Sequence, residues 1–263
     1  MKKLQKITAI VLLLSLPITV AFCVMGQSAK TQKTKTAVAN KKANHVSFNQ
    51  HTFDTYTVDF SKQTIKMYWK NAQGEKLKNI ETLKKYVEVK GKKLVFSTNA
   101  GMYMPDNSPQ GLYIENKKEL VPIDLAAKGY GNFYMQPNGV FLITKKQAKV
   151  VPSTEFEKHK KGVLYATQSG PMLVTNGQIN SHFTKSSTNV FVRSGVGINK
   201  NGEVVFAISN EVVNFYDFAS LFKEILKCDN ALYLDGAISE MYLLDLKRPQ
   251  TVQDFGAMIA ITE

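Results

Sequence analysis

A chain of 263 residues, 44% hydrophobic and 10% aromatic, is enough for one substantial globular core and excludes a wholly disordered or fibrous protein. The net charge of +13 is uneven: residues 1–50 hold eight lysines and no acid, so the rest of the chain carries 26 basic against 21 acidic residues, a net of +5. Arginine, which nucleic-acid readers favour for bidentate contacts, occurs only at Arg193 and Arg248, so no nucleic-acid partner is expected, and His45, His51, His159 and His182, without CxxC or HxxxH spacing, exclude a structural zinc domain.

The chain opens with a short cationic stretch, followed by a nearly continuous apolar run over 7–25 and the small residues Gly26, Ser28 and Ala29. This is the pattern of an export leader, so 1–26 is read as a signal peptide or, since a run of about 19 apolar residues can span a bilayer, as an uncleaved amino-terminal membrane anchor. Either reading places the protein in the periplasm or outside the cell. The bulky Phe22 before Cys23 argues against lipidation, and removal of the leader would leave Cys228 as the one thiol, a packed side chain rather than a nucleophile. Residues 27–45, mostly Lys, Thr, Asn and Ala, cannot bury enough apolar surface to offset their ordering entropy and form a flexible linker. The folded domain is expected over 46–263.

Alternating β-branched and aromatic runs ending in Gly, Asn, Asp or Pro predict strands at 56–60, 64–69, 94–98, 111–114, 139–144, 162–166, 171–175, 190–198, 204–209, 231–234 and 255–261. A short helix is expected at 80–87. A better one opens at Asn214, whose side chain can cap the first turn, and places Phe215, Phe218, Ala219, Phe222, Ile225 and Leu226 on one face. The pattern predicts an α+β fold: a single domain of mixed β-sheets with few helices packed on the sheet.

Chemistry is concentrated in loops at strand ends: STNAGMY (97–103), QSGP (168–171), RSGVG (193–197), SN (209–210) and LDGAIS (234–239). Each alone is ordinary turn chemistry. Arg193 stands out because an arginine within an apolar strand needs an anion beside it, either Asp235 or a bound anionic substrate. His182, one short loop before Arg193, is a reserve acid or base, with a surface role as its other reading. GxSxG, GxxxxGK[ST], GxGxxG and DxDxT are all absent, and the lack of clustered Asp, Glu and His ligands leaves a metal-assisted phosphoesterase little support.

In order, NAGMY, GNFYMQPNGVF, QSGPMLV, RSGVGI, AISN with the VNFYDFASLF helix, and ALYLDGAIS resemble the phosphodiester glycosidase family, in its exported bacterial branch. The same domain occurs in the enzyme that removes N-acetylglucosamine to uncover mannose 6-phosphate. Ala100 and Ala237 depart from the Asn-Gly-Gly and Leu-Asp-Gly-Gly of the better-studied branch. The resemblance implies hydrolysis of a sugar joined through its anomeric carbon to a phosphodiester, with no cofactor. Arg193 would then hold phosphate, Asp235 would activate water or stabilise the oxocarbenium-like centre, and His182 would stand in reserve. Asn99, Ser169, Asn210 and Ser239 would hydrogen-bond the substrate, while Gly101, Gly170 and Gly236 would admit it closely. Glu240 and Asp106 are the candidates for a second carboxylate. The partner is thus a sugar-phosphodiester or anionic glycan of the cell envelope; the alternative is a non-catalytic domain that binds anionic envelope glycans. Oligomeric state is not set by these features.

Overall fold

The computed structural model describes residues 43–60, 62–235, 238–248 and 253–263. The expected leader and all but three residues of the expected linker lie outside the described residues. Those three belong to the first strand, so the fold reaches at least to Ala43 rather than beginning at Val46.

Three hairpins close on two-residue turns with both residues at positive φ, the conformation that matches the twist of paired strands. They join β1 (Ala43–Phe48) to β2 (His51–Val58) through Asn49 and Gln50, at 48° and 65°. Asn116 and Lys117, at 51° and 69°, join β5 (Tyr113–Glu115) to β6 (Lys118–Val121). Asn176 and Gly177, at 48° and 75°, join β10 (Met172–Thr175) to β11 (Gln178–Ile179).

A seven-stranded sheet has the order β1-β2-β13-β12-β14-β10-β11, with β12 at Ser194–Asn199, β13 at Val204–Ser209 and β14 at Cys228–Asp235. A four-stranded sheet has the order β15-β4-β16-β3, from Met241–Leu243, Leu94–Asn99, Met258–Thr262 and Ile65–Tyr68. A five-stranded sheet runs β6-β5-β9-β7-β8, with β7 at Gly139–Thr144, β8 at Ala148–Pro152 and β9 at Val163–Ser169. The expected domain of sheets with few helices is what forms, but every ladder among the described residues is antiparallel rather than mixed in direction. Within the expected strand 190–198, the ladder begins at Ser194; before it lie one bridge, between Phe191 and Val213, and two bonds that join the Arg193 backbone to Ser209.

Helix α1 (Ile80–Glu88) is capped by Asn79, which accepts from the Thr82 amide at 2.9 Å, and buries Ile80, Leu83 and Val87 under the four-stranded sheet. Helix α2 (Phe215–Ser220) begins where the sequence places it: Asn214 accepts from the Asp217 amide at 2.8 Å. A wider π-type turn follows at Leu221–Ile225, and this extra residue in the turn rotates Ile225 out of the expected apolar face to 43% exposure.

Helix α2 and the π-type turn after it pack Phe218 and Phe222 on one face of the large sheet, against Phe53, Leu173 and Tyr233. The two smaller sheets cover the other face. One aromatic column binds all three sheets: Tyr56 stacks on Phe96 at 4.6 Å, Phe96 meets Phe206 at 4.7 Å, and Phe206 meets Phe141 edge-on at 5.9 Å. Phe96→Ala should therefore lower unfolding free energy by about 3–5 kcal/mol in urea titration. Ile225→Ala, at the exposed rim, should change it by less than about 0.5 kcal/mol.

Candidate active site

The three sheets bring the ends of β4, β9, β12 and β14 to one place. Asn99 closes β4 and is fully buried. Its Oδ1 accepts from Ser194 Oγ on β12 at 3.0 Å and from the Glu240 amide at 3.3 Å. Thr98 Oγ1 also lies 3.2 Å away, but its single proton has a nearer acceptor in the Glu240 carbonyl at 2.8 Å. The Glu240 amide can only donate, which fixes the Asn99 oxygen on that side. Asn99 Nδ2 is left buried without a hydrogen-bond partner among the described residues.

Ser194 pairs with Asp235 and Gly195 with Tyr233, so β14 carries one extra residue, Leu234, at this point. The bulge re-aims the strand end, and Asp235, 4% exposed, lines a cleft of about 360 Å³ with Met102, Tyr103, Met104, Pro105, Gln110 and Asn132. That volume is in the range of small-molecule sites, roughly 300–1,000 Å³. Burial, then the nearby carboxylates of Asp235 and Asp254, raise the Tyr103 phenol above its ordinary pKa, so it stays a neutral donor. Glu240 is also 4% exposed. Two acidic side chains, Asp235 and Glu240, are therefore buried on residues next to the Asn99 hydrogen-bond system, Asp235 as the strand partner of Ser194 and Glu240 through its backbone amide.

The phosphodiester glycosidase family model matches residues 92–261. The chain belongs to the phosphodiester glycosidase family. It is 39% identical over 210 residues to the uncharacterized protein YigE of Escherichia coli K12, covering 80% of this chain and 82% of that one. Among solved structures, it resembles the catalytic domain of zebrafish N-acetylglucosamine-1-phosphodiester alpha-N-acetylglucosaminidase, auto-inhibited by its pro-peptide: TM-score 0.58 at 14% identity, over 84% of this chain and 81% of that one. A hypothetical protein from Synechocystis aligns with TM-score 0.55 at 12% identity, over 84% of this chain and 61% of that one. At such identities these two likenesses speak to the fold.

Within this phosphodiester glycosidase domain the residues expected at the site divide. Asn99 and Asp235 lie at the convergence. Ser169 and Ser239 lie beside it, but their hydroxyls donate to backbone carbonyls, Ser169 to Leu234 at 2.9 Å and Ser239 to Asp235 at 2.7 Å. They fix the end of β14 rather than offering those protons to a ligand. Gly101 and Gly170 are close-approach positions for the protein's own backbone: a Cβ would stand 2.9 Å from the Gln168 carbonyl at Gly101 and 2.7 Å from the Phe133 carbonyl at Gly170. Gly236 lies outside the described residues. Asn210 is exposed just past the end of β13, two strands from Asp235, where it joins Thr52, Asp54 and Arg248. His182 is exposed on the loop after β11, its amide bonded to Asn180 Oδ1, and among the described residues no contact joins its ring to the Asn99 system. Asp106 is a surface residue held by Ser108 and Lys76, leaving Glu240 as the buried second carboxylate.

Arg193 does not pair with Asp235. Its guanidinium is buried 3.6 Å from the Phe215 ring centroid. Nε donates to the Val213 carbonyl at 2.8 Å, Nη1 to the Tyr233 hydroxyl at 3.2 Å, and Nη2 to the Asn189 carbonyl and side chain at 2.9 and 2.8 Å. The anion the sequence reading required is replaced by carbonyl oxygens and ring faces. Burial lowers its pKa from the ordinary arginine value.

Sequence reasoning also missed the role of Gln168. Its Oε1 accepts from the amides of Leu112 and Asp124, both at 3.0 Å, and its Nε2 donates to the Asp124 carbonyl at 2.6 Å and to Ser153 at 3.0 Å. Four bonds from one side chain clamp the loop that carries Gln110. Cys228 is buried and its thiol is pushed up to about 12 by desolvation, so it is not poised as a nucleophile. Among the described residues no three His, Cys, Asp or Glu side chains cluster to hold a metal, and no helix is long and apolar enough to cross a membrane.

Arg193→Ala should destabilise the fold by about 3 kcal/mol or more, through its cavity and the buried carbonyls left without donors. Arg193→Lys should recover little of this, since an ammonium cannot span the same acceptors. Urea midpoints of the two variants check both outcomes.

Proposed function

We propose that the chain is an exported hydrolase that cleaves the glycosidic bond of a sugar-1-phosphodiester in cell-envelope or extracellular glycans. It works in the periplasm or outside the cell, released from its leader or held by residues 7–25. The observation that carries this reading is a buried carboxylate in the cleft wall, Asp235, with a second buried acid, Glu240, whose backbone amide donates to the same Asn99 oxygen as Ser194, the strand partner of Asp235. Breaking a glycosidic bond through an oxocarbenium-like state is work that glycosidases divide between two carboxylates.

Asp235 takes a proton from water. The water oxygen bonds to the anomeric carbon as the C1–O bond breaks, and that bond's electron pair leaves on the phosphate. Glu240, buried but outside the cleft lining, adds negative charge that favours the developing cation at longer range. The products are a reducing sugar and a phosphate monoester. Phosphate leaves as an anion, so strong proton donation is unnecessary. The task is to meet its charge with preorganised N–H groups. Asn99 Nδ2 is suited to that: a buried donor without an acceptor costs about 1–3 kcal/mol, and a ligand oxygen would relieve it. Arg193, engaged by the protein, serves the fold instead.

Incubation with a nucleotide sugar and with an alkyl sugar-1-phosphodiester should release free reducing sugar, leaving phosphate on the aglycone. Asp235→Asn and Glu240→Gln should each lower kcat by about 10²–10⁴-fold with thermal midpoints retained. Release of alcohol with sugar phosphate would make the protein a phosphodiesterase, and tight glycan binding without product would make it a glycan-binding domain.

A further inference from the structure

A second pocket, of about 210 Å³, lies between the edge strand β3, the end of α1 and strands β5 and β9. Lys66, Lys70, Lys90 and Lys92 converge on it, and none of the four takes part in an ion pair among the described residues. Its one acid is Glu115, whose carboxylate accepts from the Tyr113 hydroxyl at 2.9 Å and the Trp69 amide at 3.2 Å. The wall therefore carries a local charge near +3. Burial, together with the charge of Lys92, lowers the Lys66 pKa, as expected of ammonium groups held close without a counter-ion.

The rest of the wall is preorganised. Lys90 lies 3.8 Å over the Tyr86 ring and Lys70 lies 4.0 Å over Trp69, so two of the flexible side chains are already braced. Tyr165 donates to Asn116 at 2.6 Å, and the Tyr68 phenol, pushed up to about 12 chiefly by burial, remains a neutral donor. Lysines and phenols in this arrangement match serial tetrahedral oxyanions better than a single carboxylate.

We propose that this pocket is a second ligand site, separate from the Asp235 cleft, that binds the phosphate groups of an oligophosphate or phosphodiester-linked chain. The inference stands on the pocket alone and does not require that the Asp235 cleft be catalytic. Trp69, the chain's one tryptophan, lies between Tyr68 and Lys70 of the pocket and reports on it directly.

The test is calorimetric titration of the full-length chain with inorganic tripolyphosphate, followed in parallel by Trp69 fluorescence. Saturable binding is expected, weakening as salt is raised from about 20 to 200 mM. Lys66→Gln/Lys92→Gln should lower the affinity at least about tenfold, and Lys90→Gln/Lys92→Gln, which leaves β3 untouched, should do likewise. Lys200→Gln/Lys223→Gln, removing equal charge elsewhere, should leave it unchanged. Absence of saturable binding at low salt, or equal weakening by all three pairs, would overturn the proposal, the latter by reducing it to diffuse attraction to a basic protein.

Discussion

The site depends on one buried amide. Asn99 Oδ1 has two lone pairs, and its two best-placed donors come from separate parts of the fold: Ser194 on the seven-stranded sheet and the Glu240 backbone ahead of β15. Asn99 itself ends β4 of the four-stranded sheet, so one oxygen ties together three segments distant in sequence. At such a point a buried oxygen left unpaired is costly, so each donor holds the others in register. The same geometry leaves the Nδ2 group over, a donor the fold does not use.

Asp235 reaches this point by a different device. The large sheet carries a cross-strand row, Asp54, Ile208, Ser194 and Asp235, one residue from each of four neighbouring strands. The bulge at Leu234 lets β14 end on that row while Tyr233 still faces Gly195 and the α2 side. Ser169 and Ser239 then secure the backbone on both sides of the bulge. A strand end would otherwise fray; here its carbonyls at 234 and 235 are both occupied. The aromatic column through Tyr56, Phe96, Phe206 and Phe141 keeps the sheets at the spacing this requires.

Much of the fold was legible because period-two alternation and an Asn cap are local signals. The start of α2 at Asn214 needs only its own first turn, and the eleven expected strands each correspond to an observed one. Of the strands not foreseen, β1 and β6 lacked such signals, and β11, although it follows Asn-Gly, is only two residues long. β1 turns through Asn-Gln and β6 through Asn-Lys, where tertiary packing holds the positive φ that Asn-Gly would favour by itself. The position of Glu240 was illegible for another reason: it reads as a polar residue after a Gly-Ala turn, and its burial follows from β15 pairing with β4, as in the bond from Thr98 to the Glu240 carbonyl 142 residues along the chain. The environment of Arg193 was likewise hidden, because Asn189, Val213 and Tyr233 supply oxygens that no sequence pattern marks as cation ligands.

Charge placement follows a consistent division. The deeply buried cation, Arg193, is neutral-ligated and cross-braces the 189–193 segment, Val213 just ahead of the α2 cap and strand β14, a role in which a planar fork of donors outperforms a point charge. The cleft at Asp235 contains one acid, one phenol and two side-chain amides, Gln110 and Asn132, with no lysine or arginine in its described lining. A site that must stabilise positive charge at an anomeric carbon is served by that arrangement, because a cation held beside Asp235 would neutralise the field the developing oxocarbenium needs. On the proposed reading the leaving phosphate is therefore met by neutral N–H dipoles within the cleft. Clustered lysines stand instead around the pocket at β3 and α1; on the two proposals together, they would attract an anionic chain without quenching the carboxylates proposed to act on it.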